Sequence, residues 1–291
     1  MSDRYFNRLE GHFQGFQNTS LYYQEWLSKD PKGLLIITHG HGEHSECYLR
    51  LVNGLSTSGW SICCWDWRGH GRSDGKRGYA ANFSDYCEDY NLFLNFILTQ
   101  ENVADLPVVV LGHSMGGLIQ AKTLYDKGAN LSGRIQAQIY SAPLMGLSVD
   151  VPLVKDLAAL MAYHIYPKLT LWNELKKSQF TSDAKVLEEY DRDPLRHDQI
   201  SPGVYLGVLK ALEKVEIMAK NSHLPTLMQL GKNDTVVSNE SAISFFNSLN
   251  STIKNLIVYD NSLHEIYNDI EREKSYSDLI QFLKPFQKNT G

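Results

Sequence analysis

Short apolar runs alternate along this chain with longer stretches in which apolar positions recur every three or four residues. The short runs predict strands at Leu21–Leu27, Gly33–His39, Trp60–Asp66, Pro107–Gly112, Arg134–Ser141, Pro225–Gly231 and Lys254–Asp260, with a weaker one at Gly11–Gln17. The periodic stretches predict helices at Ser45–Ser58, Phe83–Asn102, Ser114–Lys127, Gly203–Lys220, Asn239–Leu249 and Glu271–Pro285. Leu34–Ile37 and Val108–Leu111 are apolar without alternation, so both faces of those strands must be covered. Strand–helix alternation with such strands predicts an α/β protein: a mostly parallel, eight-stranded sheet flanked by helices. The alternation fails between residues 144 and 202, where helical periodicity and prolines replace strands. That break predicts a core built from 1–143 and 203–291, carrying a helical cap of residues 144–202 on the C-terminal edge of the sheet.

Composition narrows the partners. Hydrophobic residues make up 43% of the 291, charged residues 21%, and the net charge is −5, so a sizeable core is available and no basic footprint for nucleic acid exists. Cys47, Cys63, Cys64 and Cys87 are too few for a disulfide framework. Cys63 and Cys64 are adjacent in a strand and so point to opposite faces as small buried hydrophobes. The first 17 residues lack the apolar centre of a signal peptide. The longest membrane-span candidate, residues 151–172, is broken by Lys155, Asp156, His164, Pro167 and Lys168. These features predict a soluble, cytoplasmic protein in a reducing compartment.

Three glycine-rich turns that follow strands stand out for their chemistry. The run Val108-Val109-Val110-Leu111-Gly112-His113-Ser114-Met115-Gly116-Gly117 reads as strand, sharp turn and helix, with a serine at the apex. A Cβ at either flanking glycine, Gly112 or Gly116, would jam the strand against the helix that turns back over it. A serine hydroxyl needs a base, and the base needs an orienting group. Asp234 follows the strand at 225–231, and His264 follows the strand at 254–260, giving the order Ser, Asp, His. Asp260 is a rival acid, and Asp234 is preferred for its Gly-x-x-Asp turn. The oxyanion of a tetrahedral intermediate needs backbone N–H donors. Met115 is one candidate, and the turn Thr38-His39-Gly40-His41-Gly42-Glu43-His44 supplies the other.

That turn also supports a different chemistry. His39, His41 and His44 have spacing close to a zinc-hydrolase motif, with water as nucleophile and further ligands among His70, His113, His164, His197 or His223. The third turn, Asp66-Trp67-Arg68-Gly69-His70-Gly71-Arg72-Ser73, matches no phosphate-binding fingerprint. It reads as a structural turn under the site, with Arg68 paired to a carboxylate.

Together with Ser141-Ala142-Pro143-Leu144 and His264-Glu265-Ile266-Tyr267-Asn268-Asp269, these motifs resemble the α/β-hydrolase fold. Within it they are similar to the monoglyceride lipase and lysophospholipase group of S33-like serine hydrolases, over about residues 10–286. The resemblance implies hydrolysis of a carboxylic ester of a single-chain lipid, a monoacylglycerol or lysophospholipid, through an acyl-enzyme. It assigns Ser114 as nucleophile, His264 as general base then acid, Asp234 as orienting acid, and the His41 and Met115 N–H groups as oxyanion donors. It also implies a helical cap over an apolar acyl channel and no metal or organic cofactor. His41 stands where the group often has a small or apolar residue, implying a narrower or more polar acyl entrance. Val151, Leu153, Val154, Leu157, Leu160, Met161 and Ile165 wrap most of a cap helix, which can pack on the sheet, line the channel or touch a membrane. The same site could instead serve an aminopeptidase, a carbon–carbon bond hydrolase or a ligand receptor without turnover.

Overall fold

The computed structural model describes residues 6–131, 133–148 and 153–288. Ahead of the cap stretch run β1 (Phe6–Gln14), β2 (Ser20–Ser28), β3 (Gly33–Thr38), α1 (Leu49–Gly54), β4 (Trp60–Trp65), α2 (Phe83–Leu98), β5 (Val108–His113), α3 (Met115–Leu131) and β6 (Ile135–Ser141). Residues 144–202 contribute α4 (Leu153–Ile165), β7 (Leu171–Trp172), α5 (Ala184–Arg192) and β8 (Gln199–Ile200). The chain then closes with α6 (Pro202–Leu212), α7 (Val215–Lys220), β9 (Thr226–Gly231), α8 (Asn239–Ser248), β10 (Lys254–Tyr259) and α9 (Arg272–Leu283).

One eight-stranded sheet has the order β1-β2-β4-β3-β5-β6-β9-β10. Its β1–β2 and β2–β4 pairs are antiparallel and the others parallel. The sheet separates two apolar layers. Leu34, Ile36, Cys63, Val108 and Val110 enter one, while Leu35, Ile37, Cys64, Val109 and Leu111 enter the other. This explains why the central strands are apolar without alternation: each side chain is fully buried, whichever face it takes. Each such Leu or Ile stabilises the fold by about 1.5–3 kcal/mol relative to an exposed one. The two adjacent cysteines go to opposite layers as expected, and all four cysteines are free thiols.

Three expectations need adjustment. The first strand is β1 at Phe6–Gln14, not Gly11–Gln17, because Phe16–Asn18 forms a tight turn with Gln17 and Asn18 at φ 57° and 58°. As an edge strand with mostly exposed side chains, β1 carries little hydrophobic pattern. The stretch 203–220 is two helices, α6 and α7, rather than one. Val208, Ala211, Val215, Met218 and Ala219 all face the same layer, so the apolar periodicity runs across the break and hides it. The cap stretch also holds a strand pair, β7 with β8, whose two-residue strands are too short to leave a pattern. The start of the apolar cap helix, Val151, lies outside the described residues.

Candidate active site

The β5–α3 turn places Ser114 in the left-handed region, at φ 51°. A non-glycine residue there stores about 1–3 kcal/mol of strain. The turn holds because the Ser114 N–H donates to the Ser141 carbonyl at 3.0 Å, while the Ser114 carbonyl accepts from Gly117 and Leu144 at 2.9 Å each. Both glycines are dictated by space. A Cβ on Gly112 would sit 2.7 Å from the Gly117 Cα, and one on Gly116 would sit 2.3 Å from the His39 carbonyl oxygen. The second contact is with the end of β3, a neighbour that the sequence spacing could not reveal.

The turns after β9 and β10 bring Asp234 and His264 to the serine. His264 Nε2 lies 2.9 Å from Ser114 Oγ, and Nδ1 lies 2.7 Å from Asp234 Oδ2. The other Asp234 oxygen accepts the N–H groups of Val236 at 2.7 Å and Val237 at 3.2 Å, fixing the carboxylate. Gly231 allows the approach of these turns, since a Cβ there would fall 1.9 Å from the Leu263 carbonyl oxygen. Burial opposes the charge on Asp234, but the nearby His264 and the hydrogen bonds outweigh it and hold the carboxyl below its usual range. Burial likewise opposes protonation of His264, but the Asp234 carboxylate prevails and raises its pKa. Asp260, the rival acid, is exposed and pairs with Lys232 at 2.8 Å instead.

Across from this chain stands the turn after β3. Among the described residues, neither the His41 nor the Met115 N–H donates to another protein group. The turn is tied from beneath by buried Glu43, whose Oε2 accepts the Gly40 N–H at 2.6 Å and the Tyr48 hydroxyl at 2.8 Å. Arg196 reaches in from the cap stretch, 3.5 Å from Glu43 Oε1, and donates twice at 3.0 Å to Glu265, the residue after His264. Tyr190 donates to the same Glu265 carboxylate, and its ring lies 3.6 Å beneath the guanidinium. Burial pushes Glu43 above the usual carboxylate range. Burial acts on Glu265 too, but Arg196 overrides it and draws that carboxyl well below the range. Sequence reasoning missed this cluster. Glu265 was in view beside His264, but nothing in the pattern of the cap stretch marks Arg196 as its partner.

The three histidines of the β3 turn do not face one another but turn to separate partners. His39 stacks on Trp67 with centroids 4.4 Å apart, and its ring bonds the Gly40 carbonyl and the Trp67 N–H. His44 pairs with Asp193 at 2.7 Å, and His41 turns instead to the Gln199 carbonyl at 2.9 Å. The turn after β4 is structural, as expected: Arg68 grips Asp89 at 2.5 and 2.7 Å, and buried Asp66 accepts the Ser45 and Arg72 N–H groups. A cavity of about 250 Å³ opens between the β3 turn and the cap stretch, lined by His41, Gly42, Leu175, Phe180, Tyr190 and His197 among others. A larger one, about 460 Å³, lies between α3 and α7 and includes none of these residues.

A family model described as serine aminopeptidase, S33, matches residues 29–271. The chain belongs to the S33 family. Among its relatives is YnbC of Escherichia coli K12, 27% identical over 283 residues, or 96% of this chain. The chain spans about half the length of that relative, 47%. The monoacylglycerol lipase of Mycolicibacterium smegmatis is 26% identical over 278 residues, covering 95% of this chain and 97% of that protein. The crystal structure of Paleococcus ferrophilus monoacylglycerol lipase superposes with a TM-score of 0.80 at 25% identity, over 91% of this chain and 99% of that one. The fold of this S33 chain is therefore that of the α/β-hydrolases. The resemblance drawn from its motifs holds for both fold and family.

Proposed function

We propose that this protein is a serine hydrolase that cleaves carboxylic esters of single-chain lipids, monoacylglycerols or lysophospholipids, through an acyl-enzyme on Ser114. The observation that carries this reading is the continuous hydrogen-bonded line from Asp234 through His264 to a serine in a left-handed elbow. His264 takes the hydroxyl proton as Ser114 Oγ attacks the ester carbonyl. The N–H groups of His41 and Met115 receive the oxyanion. His264 then protonates the departing alcohol, and the acyl group remains on Ser114. Water, deprotonated by His264, releases the fatty acid and restores the serine. Asp234 keeps the imidazole in the tautomer that can accept the proton and stabilises the imidazolium.

The relatives named as monoacylglycerol lipases support a lipid ester over a peptide. So does the site, because the two glutamates closest to the triad, Glu43 and Glu265, are both engaged by Arg196 and neither is left to bind a peptide amine. In this reading residues 144–202 are the cap, set between core segments 1–143 and 203–291. Its surface is unusually apolar: Val154, Ile165, Tyr166 and Trp172 expose 71%, 66%, 68% and 55%. Exposed apolar side chains gathered along α4 and the segment through β7 suit contact with a lipid surface. Among the described residues no helix is long and apolar enough to cross a membrane, so such contact would be peripheral. Free, mostly buried thiols fit a cytoplasmic location.

The test is fatty-acid release from a monoacylglycerol and a lysophospholipid by the wild type and by Ser114→Ala. The variant is expected to lose about 10⁴-fold or more in kcat. Retained activity in the variant would overturn the mechanism, and no release from either lipid by the wild type would overturn the substrate class.

A further inference from the structure

His41, His70 and His197 come together from three segments far apart in sequence: the β3 turn, the β4–α2 turn and the cap stretch. Their ring centroids lie 5.3 Å (His41–His70), 5.5 Å (His41–His197) and 4.4 Å (His70–His197) apart, and one nitrogen from each falls within 4.8 Å of the others. The nitrogens His41 Nδ1, His70 Nε2 and His197 Nε2 are all buried, and none has a hydrogen-bonding partner among the described residues. Three such orphans in one place are costly, since an unpaired buried polar group costs about 1–3 kcal/mol. We propose that His41, His70 and His197 form a binding site for a single transition-metal ion of the zinc type.

The second nitrogen of each ring decides whether a lone pair is available. His41 Nε2 meets the Gln199 carbonyl at 2.9 Å, and His70 Nδ1 meets the Arg68 carbonyl at 3.2 Å. A carbonyl can only accept, so each of these nitrogens carries the proton and the opposite nitrogen presents its lone pair. His197 needs one adjustment. Its Nδ1 accepts the Gln199 N–H at 3.2 Å, which leaves the proton on Nε2. Ligation requires the other tautomer, with that proton moved to Nδ1 and the Gln199 N–H giving up its acceptor there. Tetrahedral zinc at 2.0–2.1 Å sets its nitrogens about 3.4 Å apart, so the rings close in by an ångström or so through side-chain rotation.

A second cluster, His44, Cys47 and Asp193, is a weaker candidate. Burial disfavours a charged His44, but Cys47 and Asp193 outweigh it and raise its pKa to about 10, so its proton is already committed to an ion pair. The proposed ion takes no part in ester cleavage. It would fasten the cap stretch to the two turns beneath it.

The test is calorimetric titration of chelator-treated, dialysed wild type with zinc chloride, alongside His197→Phe and Cys47→Ala. The proposal expects one equivalent bound, weakening by at least about tenfold in His197→Phe, since even a supporting partner of a ligand is worth that much, and no change in Cys47→Ala. No binding, or binding unaltered in a folded His197→Phe, would overturn it. Cobalt(II) bound to the wild type reports on the ligands whether or not that variant folds. Visible ligand-field bands without a sulfur-to-metal absorption support three nitrogens, and a sulfur-to-metal band would assign the ion to Cys47 and overturn the proposal.

Discussion

Replacing Arg196 by methionine removes a cation that holds the cap stretch to both the β3 turn and the His264 turn. The side chain is 11% exposed, and the carboxylates it faces, Glu265 and Glu43, are 4% and 5% exposed. The change deletes two hydrogen bonds to Glu265 and the contact with Glu43, leaving one carboxylate held by Tyr190 and Asn268 and the other by Gly40 and Tyr48. Stranding a buried charge in this way costs about 3–5 kcal/mol, against a total stability of about 5–15 kcal/mol for a domain. The pH dependence has a definite sign. The folded pKa of Glu265 lies below its ordinary 4.5, so its contribution is present above that value and fades as pH falls through the depressed one. Glu43, shifted upward, is relieved of its burial cost as pH falls. The gap between wild type and Arg196→Met is therefore widest above about pH 7, where Glu43 is charged, and narrows as pH falls below it. Urea unfolding of both proteins at each pH measures it. A neutral-pH difference under about 1 kcal/mol, the level of an exposed pair, or a gap that grows on acidification, would refute the reasoning.

Asp234→Asn keeps an acceptor for Val236 and Val237 but offers an amide to His264 Nδ1, forcing the wrong tautomer; kcat should fall about 10⁴-fold with near-normal thermal stability, measured on a chromogenic ester. Because Asp234 raises the pKa of His264, the acid limb of the kcat/KM profile should have its midpoint above 6.5 and shift downward in the residual activity of Asp234→Asn. Leu157 and Met161, four residues apart on α4 and more than half exposed, should matter for membranes and not for chemistry. Replacing both by serine is expected to weaken sedimentation with phosphatidylcholine vesicles about 100-fold, from at least about 3 kcal/mol of lost apolar burial, and to leave hydrolysis of a soluble short-chain ester unchanged. Gly116→Ala should abolish soluble expression or activity, since its methyl would meet the Thr38 and His39 carbonyl oxygens at 2.4 and 2.3 Å.

Much of this molecule is legible one segment at a time. Strands such as Val108–Leu111 declare themselves because burial on both faces demands unbroken apolar residues, and a glycine–serine–glycine turn after such a strand has few other uses. Ser114, Asp234 and His264 were nameable from the chain for that reason: each sits at a fixed offset past a strand end, and a parallel sheet gathers its C-terminal strand ends on one edge. Pairings that depend on where unrelated loops land left no such trace. Arg196 meets Glu43 and Glu265 across 153 and 69 positions, and His41 abandons its neighbours His39 and His44 for His70 and His197. The amino-acid order thus determined most of the elements, the layers and the residues proposed as the triad, because those follow from periodicity and turn stereochemistry. Only the tertiary structure decided which histidines cluster, which cation neutralises the buried carboxylates and how the cap stretch is fastened, because those depend on through-space distances between loops that no local pattern encodes.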